Sequence, residues 1–301
     1  MRLLITGGTG FVGRRLVERA LAAGHDVMVI SRDPERARRQ LPQSVRIGDD
    51  AMDFASSLPE AIVNLAGEPI ADRRWSDPQK TRLVESRRHA TRDVVALCEE
   101  LARREQPPEV LVSGSAMGYY GDQGDRDVTE ETPPHDEFAH RLCQAWEAEA
   151  LKAEAFGVRV ACLRTGLVLD AGGGTLAKMM PAFKLGLGGR LGDGRQYMPW
   201  IHREDLVAMI EFLLEKTMLS GPFNGSAPQP VTNAEFTRAL GRHLHRPAAL
   251  FVPAPLLKLG LGEMSRLLLT GACMRPRRFQ EAGFTFRYPT LDDALAAIVS
   301  H

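Results

Sequence analysis

Apolar positions along the chain follow two alternating rhythms. Arg2-Leu3-Leu4-Ile5-Thr6 is a short, mostly apolar run that stops at glycines, as a strand buried on both faces of a parallel sheet does. From Phe11 to Ala23 the apolar residues Val12, Leu16, Val17, Ala20 and Leu21 recur at helical spacing, and Gly24 lies just past the end as a helix stop. Val27-Met28-Val29-Ile30 is a second apolar run. Further strands are predicted at Ala61–Leu65, Val110–Ser113 and Val158–Leu163, with helical stretches around Asp77–Arg104 and Phe138–Ala155 between them. This alternation predicts an α/β fold: a Rossmann-type, doubly wound parallel sheet with helices on both faces.

The rhythm changes after about residue 166. Gly172-Gly173-Gly174 interrupts it, and five glycines follow between Gly186 and Gly194. Pro/Gly-rich stretches recur at 221–230 and 252–255, and from Asn233 the pattern is mainly helical. The expected division is a Rossmann-type domain over 1–166, its sheet completed by later segments, and a smaller C-terminal lobe over 167–301.

Charge narrows the partners. Lys plus Arg number 38 and Asp plus Glu number 38, so the formal net charge is zero. Binding to nucleic acid or anionic membrane draws on a basic excess, which is missing here, so neither is expected as a partner. The apolar run around Leu206–Leu214 is broken well short of the ~20 residues that cross a bilayer. Only Leu3–Ile5 precedes the first glycines, too little for a secretory signal. Cys98, Cys143, Cys162 and Cys273 are scattered without metal-ligand spacing and are expected to be reduced, buried thiols. The expectation is a cytoplasmic protein with no metal, a homodimer being left open.

The most informative residues are Thr6-Gly7-Gly8-Thr9-Gly10-Phe11-Val12-Gly13. Gly7-x-x-Gly10-x-x-Gly13 falls between a predicted strand and a predicted helix. Its glycines suit a tight turn, a close approach of backbone to pyrophosphate, and close helix–strand packing. Free N–H groups and the dipole at such a helix start favour a phosphate there. At the end of the second strand, where an NAD site usually carries Asp or Glu, this chain has Ser31-Arg32 and then Asp33-Pro34. Arginine forks onto a 2′-phosphate and serine adds a hydrogen bond, so NADP(H) is favoured over NAD(H). Asp33, one step out of register, keeps the ribose 2′-OH open as its partner.

With these residues the chain resembles the extended, epimerase/dehydratase-like members of the short-chain dehydrogenase/reductase superfamily. Among them it is most similar to the atypical YfcH-like epimerase family. The matching blocks are Thr6–Gly13, Ser31-Arg32, Val63–Glu68, Glu85-Ser86-Arg87, Ser113–Gly121 and Pro199-Trp200-Ile201-His202. A C-terminal block from Val252-Pro253-Ala254-Pro255 through Gly283-Phe284 to Tyr288-Pro289-Thr290 also matches, so the resemblance spans nearly the whole chain. It implies that Gly7, Thr9, Gly10, Phe11, Val12, Gly13, Ser31 and Arg32 hold the cofactor. It also implies that Leu65 and Ala66 pass beside the adenosine ribose and pyrophosphate, and that Arg87 supports the cofactor or the catalytic loop. The alternative for Arg87 is one solvated helix face shared with Arg82, Arg88 and Arg92.

The chemical end departs from the family pattern. Ordinary members use a serine and a later Tyr-x-x-x-Lys, in which lysine lowers the tyrosine pKa and holds the nicotinamide ribose. Ser115 takes the serine position, although counting back from Tyr120-Gly121 lands on Ala116. At Tyr-x-x-x-Lys the chain has Phe138-Ala139-His140-Arg141-Leu142, which can neither give a proton nor hold a ribose. Tyr119 and Tyr120 are the substitutes in view, and Tyr120 joins Ser115 as a candidate catalytic residue. A tyrosine titrating near ~10 needs a positive neighbour, for which Lys178, Arg164 and Arg203 are the choices. His202 fits a helix cap better than an acid/base. Glu68 is placed beside cofactor or substrate, while Glu130 and Glu131 read as solvated loop charges. Arg190 and Arg195, in the glycine-rich lobe segment, suit either a phosphate or a solvated loop.

Two functions follow. One is an NADP(H)-dependent epimerase/dehydratase-like oxidoreductase on an unidentified small polar metabolite, possibly nucleotide-linked. The other is a non-catalytic NADP(H)-binding sensor or partner-binding protein, which the missing Tyr and Lys favour.

Overall fold

Seven parallel strands form the central sheet of the computed structural model, which describes residues 1–300. In chain order they are β1 (Arg2–Thr6), β2 (Asp26–Ile30), β3 (Arg46–Gly48), β4 (Ala61–Asn64), β5 (Val110–Ala116), β6 (Arg159–Thr165) and β7 (Gly221–Gly225). Their order across the sheet is β7-β6-β5-β4-β1-β2-β3. Chain order reverses at β1, which pairs with β2 on one side and β4 on the other. Ligands of open α/β sheets sit at the carboxyl ends of the strands beside such a reversal.

The strands are apolar throughout because both faces are covered. Leu3 and Ile5 of β1 point into one layer, with Leu16, Val17 and Ala20 of α1 (Phe11–Ala22). That layer also holds Leu206, Ile210 and Leu213 from the later helix Arg203–Glu215. Leu4 points into the opposite layer, with Val94, Cys98 and Leu101. These three belong to a 27-residue helix, Asp77–Arg103, which Ser76 caps through the N–H of Gln79. Alternate residues of one strand thus fill two cores, as the pleat requires.

The chain between β2 and β3 forms α2 (Pro34–Gln40), and Asp77–Arg103 is α3. Two further helices position the site: α4 (Phe138–Leu151) and, after a short helix α5 (Gly174–Lys184), α6 (Arg203–Glu215). Arg15 of α1 grips Glu204 of α6 through Nε at 2.6 Å and Nη2 at 2.9 Å. Such half-exposed pairs add little stability but fix the orientation of the two helices.

The segment after residue 166 does not stand apart from the sheet. It supplies edge strand β7 through residues that the sequence shows only as a Pro/Gly-rich stretch. It also returns Phe279, Leu291, Leu295 and Ile298 to the core around Phe223. Four short two-stranded ribbons build the rest of the lobe, among them Gly189–Leu191 with Leu250–Val252 and Trp200–His202 with Leu167–Asp170. Among the described residues, no helix is long and apolar enough to cross a membrane. All four cysteines are buried.

Candidate functional site

The loop after β1 is tight, and its Gly7 and the following Gly13 leave no room for a Cβ. Gly7 has φ +70°, and a Cβ on it would lie 2.9 Å from the Leu65 carbonyl. On Gly13 a Cβ would stand 2.2 Å from the Gly7 oxygen, deep inside van der Waals contact. Gly10 closes the turn, its N–H donating to the Gly7 carbonyl at 2.9 Å. Helix α1 then starts with no side-chain cap and no acid in its first turn. Thr9 is partly exposed and Gly10 exposed. An uncapped helix start beside a loop with glycine at three of its four positions fits a dinucleotide pyrophosphate.

Phe11 explains a second glycine run. Its ring packs on the 170s loop, where a Cβ on Gly173 would come within 2.6 Å of it. The Arg203 guanidinium, 5.0 Å from the same ring, pairs with Asp170 at 3.0 Å. The glycines at 173 and 174 are therefore the room that Phe11 occupies.

The neighbouring strand β2 delivers Ser31 and Arg32 to the same end of the sheet, since Thr6 and Ile30 are register partners. Ser31 Oγ donates to the Asp33 carbonyl at 3.1 Å. The Asp33 carboxylate accepts from the N–H of Arg36 at 2.9 Å and caps α2. Arg32 is exposed between them.

A chain of buried hydrogen bonds sets the loop after β4. Thr6 Oγ1 donates to Asn64 Oδ1 at 2.6 Å and accepts from the N–H of Ala66 at 3.1 Å. Asn64 in turn donates to Thr91 Oγ1 of α3 at 2.8 Å. Arg87 supports this loop from α3, donating to the Glu68 carbonyl at 3.0 Å and the Leu83 carbonyl at 2.9 Å. Its guanidinium lies 5.1 Å from the Trp146 ring, and its buried Nε has no partner. Burial lowers its pKa from the usual arginine range. Arg87 has left the solvated face of α3 to hold the loop. Glu68 is held by Gln79 at 3.0 Å.

A cavity of about 250 Å³ opens between these elements. The glycine loop, Phe11, Val12 and Leu65 form one side, Gly114, Ser115, Trp146 and Thr165 the other. Leu163, Leu206 and Ile210 complete its apolar wall. The cavity thus brings together Gly7, Gly10, Phe11, Val12, Gly13, Leu65 and Ser115 of the residues expected from sequence. Thr9, Ser31, Arg32, Ala66, Arg87 and Tyr120 lie off its wall.

Of the two residues that the sequence leaves open, Ser115 faces the cavity while Ala116 packs against an apolar cluster. Its Oγ donates to Glu147 Oε1 at 2.6 Å. Arg164 holds the same carboxylate from the other side, through Nε at 2.8 Å and Nη2 at 2.9 Å. The remaining nitrogen, Nη1, donates to the Tyr120 hydroxyl oxygen at 3.0 Å, and Tyr120 donates to Asn224 Oδ1 of β7 at 2.6 Å. Tyr120 has no exposed surface, and burial pushes its pKa up to about 12. Arg164 is therefore the cation beside the tyrosine pair, 3.3 Å from the Tyr119 ring centroid.

Phe138 and Leu142 enter a buried apolar cluster with Leu83 and Cys143. The Phe138 ring meets Trp75 edge-on at 4.8 Å. The polar machinery of α4 lies further along the helix, at Trp146 and Glu147. Gly114 makes room for that tryptophan, because a Cβ there would lie 2.9 Å from its ring. Sequence reasoning missed Trp146 and Glu147. Their signal was an acid on the sheet-facing side of α4, where a helix buried on that side normally carries apolar residues.

Two further expectations resolve differently. His202 caps α6, its Nδ1 accepting from the N–H of Glu204 at 3.1 Å, and its ring lies 3.9 Å from Tyr288. Burial pushes its pKa down to about 4. Glu130, read as a solvated loop charge, is instead buried, accepting from the N–H groups of Asn224 at 3.0 Å and Arg278 at 3.3 Å. Backbone donors stand in for water there, and burial still raises its pKa. Glu131, Arg190 and Arg195 are exposed.

The sequence profile of the NAD dependent epimerase/dehydratase family matches residues 3–224. The chain belongs to that family. A second profile, a domain of unknown function called DUF1731, matches residues 252–298. The chain is 40% identical to the chloroplastic SDR39U1 homolog of Arabidopsis thaliana, over 99% of this chain and 87% of that one. It is 35% identical to the human epimerase family protein SDR39U1 over the full length of both. The crystal structure of human SDR39U1 isoform 2 with NADPH superposes with a TM-score of 0.88 at 34% identity, covering 100% of each chain. A Thermus thermophilus UDP-glucose 4-epimerase complexed with NAD shares the fold, with a TM-score of 0.79 at 20% identity and coverage of 100% and 98%.

Proposed function

We propose that this epimerase-family chain is an NADP(H)-dependent oxidoreductase acting on a small polar metabolite. One observation carries the reading: a single cavity joins the uncapped glycine loop to Ser115, so a dinucleotide and a reacting group meet there. When bound, the dinucleotide supplies or takes up a hydride. N–H groups at the start of α1 hold its pyrophosphate, and Leu65 and Ala66 flank it through the loop that Arg87 braces. Arg32, exposed at the end of β2, takes the 2′-phosphate, because Asp33 is occupied as a helix cap. The human relative solved with NADPH supports the same choice.

Ser115 presents its side-chain hydroxyl to the bound ligands at this site. Glu147 and Arg164 fix its hydroxyl. Tyr120 acts one step back, as a positioning residue that holds Arg164. A second reading, binding without turnover, is favoured by the apolar Phe138 and Leu142. NADPH tritiated at the transferable position, incubated with a panel of carbonyl compounds, separates the two. Tritium appearing in any product supports the enzyme; tight binding with no transfer to any of them overturns it in favour of the second reading.

A further inference from the structure

The two side-chain hydroxyls on the cavity wall share an unusual restriction. Ser115 Oγ gives its only proton to Glu147 at 2.6 Å, and Thr165 Oγ1 gives its own to the Leu163 carbonyl at 3.3 Å. Glu147 is an acceptor only, held as a carboxylate by two N–H groups of a guanidinium that does not lose its proton. The Ser115 proton therefore has a fixed destination, and only lone pairs of Ser115 remain for the cavity. The same argument applies, over a longer bond, to Thr165. The other side chains of the wall are apolar apart from Trp146.

We infer that Ser115 serves as a hydrogen-bond acceptor, and that the ligand group seated on it is a donor, an O–H or an N–H, rather than a carbonyl oxygen. Glu147 is the positioning residue that sets this polarity. The inference rests on the dinucleotide reading of the same site and adds which chemistry Ser115 selects. A carbonyl oxygen placed against Ser115 meets lone pairs, and a ligand without the donor leaves the serine oxygen desolvated and unpaired. The donor has two sources in this cavity: the carboxamide N–H of a nicotinamide ring, or a hydroxyl of the metabolite.

Glu147→Gln reverses the arrangement. Glu147 Oε1 accepts from both Ser115 and Arg164 Nε, so an amide N–H at that position donates to Ser115 and releases the serine proton toward the cavity, at the loss of the Arg164 Nε hydrogen bond.

The test is calorimetric and needs no turnover. NADP+ and its 3-acetylpyridine analogue, whose acetyl group has no N–H, are titrated into wild type, Ser115→Ala and Glu147→Gln. Matched alcohol and ketone pairs are then titrated into the NADP+-loaded proteins. In wild type the donor-bearing member of at least one series binds about tenfold tighter or more. Preference in the first series identifies the carboxamide as the donor, and in the second the metabolite hydroxyl. Ser115→Ala erases the preference, and Glu147→Gln erases or inverts it, an inversion that a merely structural glutamate would not produce. Equal binding, or a wild-type preference for the ketone and the acetyl analogue, overturns the inference while leaving the dinucleotide reading intact. No binding of either dinucleotide to wild type overturns both. The wild-type arm decides the matter even where a variant fails to fold.

Discussion

The Asp33 carboxylate accepts a hydrogen bond from the backbone N–H of Arg36 at 2.9 Å. That contact makes Asp33, just past the end of β2, the N-cap of α2, which on the NADP(H) reading takes it from the ribose. Asparagine caps as well as aspartate. Asp33→Asn is therefore expected to keep stability within about 0.5 kcal/mol in urea denaturation and to leave the ratio of NADPH to NADH affinity unchanged within about threefold. A large swing in that ratio would return Asp33 to the ribose.

Glycines 13 and 24 separate two kinds of constraint. Gly13 is crowded, with the Gly7 oxygen 2.2 Å from its missing Cβ, whereas Gly24 has open space and φ +77°. Gly24→Ala is expected to cost about 1–2 kcal/mol of stability through left-handed strain, with NADPH affinity unchanged. Gly13→Ala displaces the loop itself and is expected to weaken NADPH binding about tenfold or more. Calorimetry and denaturation on both variants check the contrast.

The Glu147–Arg164 pair is buried, with side chains 9% and 4% exposed. Breaking such a pair strands a charge, so Glu147→Ala or Arg164→Leu alone is expected to cost about 3–5 kcal/mol. Removing both together, as Glu147→Leu with Arg164→Met, is expected to cost less than the sum of the single changes. Urea denaturation of the three variants gives the answer; strict additivity would show that the two charges do not depend on one another.

His202 ties stability to pH. Burial pushes its pKa from 6.5 down to about 4. Between those values the unfolded chain binds a proton at this imidazole and the folded chain does not, so acid favours unfolding. The contribution is complete above pH 6.5 and is lost progressively as pH falls toward 4. His202→Asn keeps a capping side chain without the titration. Between pH 7 and pH 5 it is expected to lose about 2 kcal/mol less stability than wild type. Parallel denaturation curves across that range would place the titrating group elsewhere.

Much of the sheet was legible because its strands are buried on both faces and hence apolar without interruption, as at Leu3–Ile5 and Val27–Ile30. Strand β7, Gly-Pro-Phe-Asn-Gly, was not. Its pairing with β6 comes from the tertiary setting, and nothing in its local pattern marks a strand. The glycine loop was legible because tight turns restrict residue type. The polar network was legible only in part: Arg164 was one of three candidate cations for the tyrosine pair, while Glu147 and Glu130 look like any surface charge until the fold brings their partners from residues far away in the chain. Arg87 shows the same limit, since only its approach to the Glu68 carbonyl separates it from the other arginines of α3.

The proposed cofactor site joins the glycine loop to Arg32, which takes the 2′-phosphate of NADP(H). Titration of NADPH and NADH into wild type and Arg32→Asp by calorimetry tests it most directly. Wild type is expected to prefer NADPH, and Arg32→Asp to lose about tenfold or more in NADPH affinity while NADH binding changes little. Equal losses for the two cofactors, or no binding of either to wild type, would contradict it.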